Sequence, residues 1–133
     1  MNPFLTYPTE LLILVFLIIT FLQSAIDKVI DWSGNLGWLK GHFEETPLAK
    51  MVPALLMTVL ITEMAAGIFC ALGIYQLVGE GEKTMALYGA VLSCIALLML
   101  LFGQRLAKDY EGAKTIAVYF IPAVFLVYLL QPL

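Results

Sequence analysis

Glu63 lies near the middle of a long apolar run, Met51 to Val78, where a carboxylate is an expensive residue. An ionised, unpaired carboxylate at mid-span costs roughly 2.5–3.5 kcal/mol on insertion scales. Such a side chain is expected to face the protein interior and either pair or take up a proton. Thr58, Thr62, Ser93 and Tyr119 are the partners within apolar segments that it could meet. Two roles fit: a proton- or ligand-handling group, or a polar lock between helices.

Other chemistry-bearing residues gather at the ends of apolar runs. Asp27, Lys28 and Asp31 close the first run, and the two aspartates, four apart, share a helix face. They are expected to meet Arg105, Lys108 or Asp109 in a polar cap, or else to be ordinary interfacial charge. Gln104, Arg105, Lys108, Asp109 and Tyr110 form a second set, suited to an anionic headgroup or a partner subunit. His42 is the single histidine, so no metal set recurs around it, and a bis-His haem held by this chain alone is excluded. Cys70 and Cys94 fall at similar depth in adjacent apolar runs and read as small packing residues rather than a redox pair. No Ser-His-Asp set, phosphate-binding glycine loop or CxxC appears in the sequence.

The elements that carry these residues are membrane helices. Of the 133 residues, 62% are apolar, against about 45–50% in a soluble domain. A soluble unit of this size could not hide so much apolar surface. The pattern predicts an all-α, integral membrane four-helix bundle in a single domain, 1–133, with spans at about 10–30, 51–78, 84–103 and 115–130. About 20 apolar residues cross the roughly 30 Å hydrocarbon layer. No Lys or Arg precedes the first run and no cleavage site follows it, so the first helix is expected to stay in the mature protein.

The connection DWSGNLGWLKGHFEETPLAK holds three glycines and a proline, which argue against one continuous helix. Its two tryptophans suit the headgroup level, as a short interfacial helix or a re-entrant cap. Small residues recur every four positions in the middle spans: Ala86, Ala90 and Cys94 on one, Gly67 and Ala71 on the other, with Ala66 and Cys70 beside them. They predict a close hairpin of spans two and three. Pro122 is expected to kink the last span and free the Val118 carbonyl.

With four spans, Lys28, Lys40, Lys50, Arg105, Lys108 and Lys114 share one side and Lys83 alone takes the other. The positive-inside rule puts the six in the cytoplasm and both termini outside it. The net charge of −3 offers no basic stripe, so nucleic acid is not an expected partner.

Four stretches together resemble the DoxX-like family of small bacterial membrane proteins: FLQSAIDKVIDW, HFEETPL, EMAAGIFCALG and LLFGQRLAKDYEGAKTIAVYF. The resemblance implies a four-helix protein of the bacterial inner membrane. Some members are linked to sulfur-compound oxidation, as a subunit of thiosulfate:quinone oxidoreductase, or to membrane oxidoreductase assemblies under thiol stress. It singles out Lys28, Glu63, Gln104, Arg105, Asp109 and Gly112 by position. The expected function is a small subunit or anchor of a larger membrane complex, linked to quinone-dependent electron transfer. The alternatives are a quinone-reactive subunit using Glu63, and a small transporter or lipid-binding bundle. No covalent cofactor is expected, with quinone or lipid as the candidate ligand and membrane lipid and other membrane subunits as partners.

Overall fold

A computed structural model describes residues 2–132. Among them six α-helices and one 3-10 turn follow in order, without a strand: α1 Pro3–Thr6, α2 Pro8–Ile30, α3 Trp32–His42, the turn Ala49–Met51, α4 Val52–Glu80, α5 Thr84–Leu106 and α6 Tyr110–Leu130. Helices α2, α4, α5 and α6 are each long and apolar enough to cross a bilayer. The chain is a four-helix, multi-pass membrane bundle.

Where sequence signals were sharp, the helix ends obey them. Pro8 opens α2 and Pro53 sits in the first turn of α4, positions where a missing N–H costs little. Gly81, at φ 69°, closes α4 in the left-handed conformation, and its N–H donates to the Leu77 carbonyl. The Gln76 side chain turns back across that corner and accepts from the Met85 N–H, serving an orphan donor of α5.

As expected, the connection 31–50 is not one continuous helix: the short helix Trp32–His42, with Gly34, Gly37 and Gly41 inside it, gives way to turns before Ala49. The Asp31 carboxylate caps the short helix by accepting from the Gly34 N–H, and the Asn35 amide donates back to the Asp31 carbonyl. The fourth span begins at Tyr110 rather than Thr115, because Asp109 caps it and turns the charged stretch YEGAK into the first turns of α6. Pro122 lies inside α6, whose helical run continues through it.

The middle hairpin forms, by a seam shifted from the expected one. Gly89 of α5 meets the Cys70 backbone and Gly73 of α4 meets Ala86, so both glycines bring backbones together. Ala86 and Ala90 are buried in this seam. Gly67, by contrast, receives Leu22 of α2, and Ala71 is exposed. The four-residue spacing was right, and the helix face assigned to Gly67 and Ala71 was not.

Contacts at the ends fix the up-and-down order. His42, after α2, reaches Gln104 in the last turn of α5 and Asp109 between α5 and α6. At the other end the Lys83 ammonium lies 5.5 Å from the Tyr7 ring centre. The first and third connections therefore share one end of the bundle, with six of the seven basic residues, and Lys83 occupies the opposite one.

Candidate ligand groove and its buried ion pair

Glu63 is the most deeply buried charged residue described, 2% exposed. Its partners come from α2. Ser24 Oγ donates to Oε2 at 3.0 Å, and the Lys28 ammonium stands 2.9 Å from Oε1. Lys28 Nζ also donates to Ser24 Oγ at 2.6 Å. Ser24 and Lys28, four residues apart, present one face of α2 to the carboxylate. The three groups make a closed ring of charge and hydrogen bonds, and the pair is neutral as a whole. Oε1 meets only the Lys28 ammonium, at 2.9 Å.

This arrangement replaces the partners expected for Glu63. Thr58 and Thr62 donate within α4, to the carbonyls of Ala54 and Thr58. Ser93 donates to the Gly89 carbonyl on α5. Tyr119 packs on the Phe16 ring, centres 5.8 Å apart. Lys28 reaches Glu63 because the two helices are not level. Glu63 lies roughly 17 Å along α4, while Ser24, opposite it, is only about 9 Å from the end of α2. A lysine near the end of the shorter helix thus reaches inward to the acid.

Above the pair opens a groove of about 360 Å³ between α3, α4 and α5. Val52, Leu55, Leu56 and Val59 form one stripe of its α4 wall, and Glu63 is the next residue on that stripe. Met99, Leu100 and Phe102 face them from α5, and Trp38, Leu39 and Phe43 from the α3 side. Lys28 is the only charged residue lining it among the described residues, with Asn35 and Gln104 as amides. An apolar pocket with a few convergent polar groups is the usual form of a small-molecule site.

A second cluster holds α3 beside the groove. His42 Nε2 donates to Gln104 Oε1 at 3.1 Å and lies 3.5 Å from Asp109 Oδ2. Its ring stacks on Trp38, centres 4.6 Å apart, and meets Phe43 edge-on. Asp109 Oδ1 accepts from the Gly112 N–H at 2.9 Å. A Cβ at Gly112 would stand 2.6 Å from Gln104 Nε2, so the glycine leaves room for that amide.

The structure therefore divides the candidate residues between two sites. Glu63 meets Lys28, which lines the groove, and Asp109 and the groove residue Gln104 meet His42. Asp27 is exposed and joins neither site. Arg105 is exposed as well, its guanidinium 5.0 Å from the Tyr110 ring centre. The expected cap between Asp27 or Asp31 and the Arg105 region is not formed: Asp31 is occupied by α3, and α3 itself spans the gap. Ser24 and His42 join these two clusters without having been among the sequence's site candidates. Ser24 stands at i−4 from Lys28, and that spacing was the available signal.

Cys70 and Cys94 are free and buried, and Cys70 Sγ lies 4.0 Å from Ser93 Oγ. No family model, curated protein or solved structure matches this chain.

Proposed function

We propose that this chain is a small subunit or anchor of a larger complex in the bacterial inner membrane, and that its own contribution is to hold a membrane-borne amphiphile in the groove. The observation that carries this reading is a largely apolar cavity whose lining holds a single ammonium, Lys28, and two amides, Asn35 and Gln104. A ligand suited to it has an acceptor-bearing head and an apolar body. A quinone answers that description with its carbonyl oxygens, and the DoxX-like resemblance leads to the same class. A lipid answers it with its headgroup oxygens. Glu63, locked to Lys28 and Ser24, serves first to position the ammonium.

The test is to purify the full chain from its native membrane with its companions and identify what stays bound. Mass spectrometry of the intact complex and of its organic extract separates the sources: quinone or lipid, each at one per chain. Leu55→Trp, which fills the groove from a half-buried wall position, should empty it. Equal retention of the same molecules by Leu55→Trp would defeat the groove as their site. A chain that purifies alone under mild detergent would defeat the subunit reading.

A further inference from the structure

We infer that the groove takes a neutral long-chain alcohol, one apolar chain with one hydroxyl head, held between the Lys28 ammonium and the side-chain carbonyl of Asn35. This rests on the groove being a ligand site, and it selects a lipid over a quinone within that reading.

Charge makes the first selection. Lys28 is the one charged residue among the described lining residues, and Glu63 already meets that charge at 2.9 Å. The site is therefore neutral before any ligand arrives. An anionic head would add a second negative charge beside Glu63, and a cationic head a second positive one beside Lys28. Neither finds a counter-charge at hand, since Asp27, Asp31, Lys40 and Arg105 are all exposed. The walls along Leu55, Val59, Met99 and Phe102 offer only apolar contact, and an uncompensated charge is costly to bury against them. A neutral head carries no such cost.

Hydrogen-bonding capacity makes the second. A lysine ammonium has three N–H donors. Two are spent, on Glu63 Oε1 and Ser24 Oγ, and the third remains on a side chain that is 16% exposed. Asn35 has the opposite need. Its amide N–H groups donate to the Asp27 carbonyl at 3.4 Å and the Asp31 carbonyl at 2.8 Å, which leaves Oδ1 as a free acceptor. Those two bonds also tie Asn35 to the last turn of α2, the turn that carries Lys28, so donor and acceptor come from the same junction. The other polar groups of the described lining are engaged elsewhere. Thr58 donates to the Ala54 carbonyl, Gln104 accepts from His42 through Oε1 and turns Nε2 toward Gly112, and Trp38 stacks on His42, largely exposed. One donor and one acceptor match one hydroxyl, which accepts from Lys28 and donates to Asn35. A quinone or ester carbonyl serves Lys28 alone and leaves Asn35 Oδ1 desolvated without a donor, which is penalised.

Trp38 lines the groove and is the sole indole once Trp32 is replaced by Phe. The full chain carrying Trp32→Phe, in nanodiscs of zwitterionic lipid, is titrated with ω-bromododecanol, whose bromine quenches indole fluorescence. Quenching should saturate. Dodecanol should relieve it at a bilayer fraction about tenfold lower than methyl dodecyl ether, which keeps the acceptor and lacks the O–H. Dodecyl sulfonate and dodecyltrimethylammonium should relieve none of it. Asn35→Ala should bring dodecanol down to the level of the ether without moving the ether itself, and Leu55→Phe should abolish the saturable component. Relief by either ionic amphiphile or by decylubiquinone as strong as by dodecanol would overturn the neutral alcohol and leave the groove standing. An alcohol-to-ether ratio unchanged in Asn35→Ala would overturn the head geometry. If no brominated amphiphile, charged or neutral, quenches saturably, the groove reading falls with the inference.

Discussion

A buried ion pair is worth less as a source of stability than as a constraint on what can be removed. The Lys28–Glu63 contact exchanges hydration of two ions for one attraction, and the net gain of such pairs is small. Removing one partner is a different matter. Lys28→Met would leave Glu63 buried with only Ser24, a loss of about 3–5 kcal/mol if the carboxylate stays charged. Adding Glu63→Leu to that variant should restore most of the loss, since two apolar residues replace two charges. Thermal unfolding in detergent distinguishes the cases, and a Lys28→Met protein as stable as wild type would show that the pair is dispensable. At this scale the sequence was half legible. The cost of Glu63 could be read from its apolar surroundings, and so could its need for a partner. The partner could not, because Lys28 lies 35 positions away and reaches it only through the unequal levels of α2 and α4.

Helix ends and helix seams carry the next layer of argument. Asp109 caps α6 and approaches His42, and Gln104 accepts from the same histidine, so three elements converge on one imidazole. Helix α3 contributes no fully buried residue, which leaves this tether and the Trp38 stack to hold it over the groove. His42→Ala should cost only about 1 kcal/mol, the usual net worth of one hydrogen bond. Its effect should be local: faster amide exchange in Trp32–His42, with α4 and α5 unchanged. Uniform loosening of the whole bundle would count against α3 as a separately held element. The α4–α5 seam behaves oppositely. A Cβ at Gly89 would stand 2.7 Å from the Cys70 backbone nitrogen, so Gly89→Ala must separate two helices and should cost about 1–3 kcal/mol. Gly79, with nothing within 4 Å of its Cβ position, is the control, and Gly79→Ala should be neutral or stabilising. Small-residue spacing announced this seam in the sequence, but period alone does not say which neighbour a face meets. Gly67 shows the limit, since an identical signal there serves Leu22 of α2.

At the scale of the molecule, hydropathy was nearly sufficient: the four apolar runs became the four long helices, with the largest displacement at α6, where the Asp109 cap moves the start to Tyr110. The order of those helices then gathers charge at one end. Lys28, Lys40, Lys50, Arg105, Lys108 and Lys114 belong to the end that carries α3 and the groove. Lys83 faces Tyr7 at the other. A helix is retained on the side where its basic flanks are held, so the six-to-one split predicts that the groove end meets the cytoplasm. The two native cysteines are buried, which keeps the background of thiol labelling low. Lys108→Cys, exposed in the α5–α6 turn, should resist a membrane-impermeant maleimide in intact cells and react once the membrane is opened. Glu82→Cys, exposed in the α4–α5 turn, should react from outside. The reverse pattern would invert the protein in its membrane. It would then present Lys28 and the groove to the outer side, so the source of any ligand would change while the chemistry of the site stayed the same.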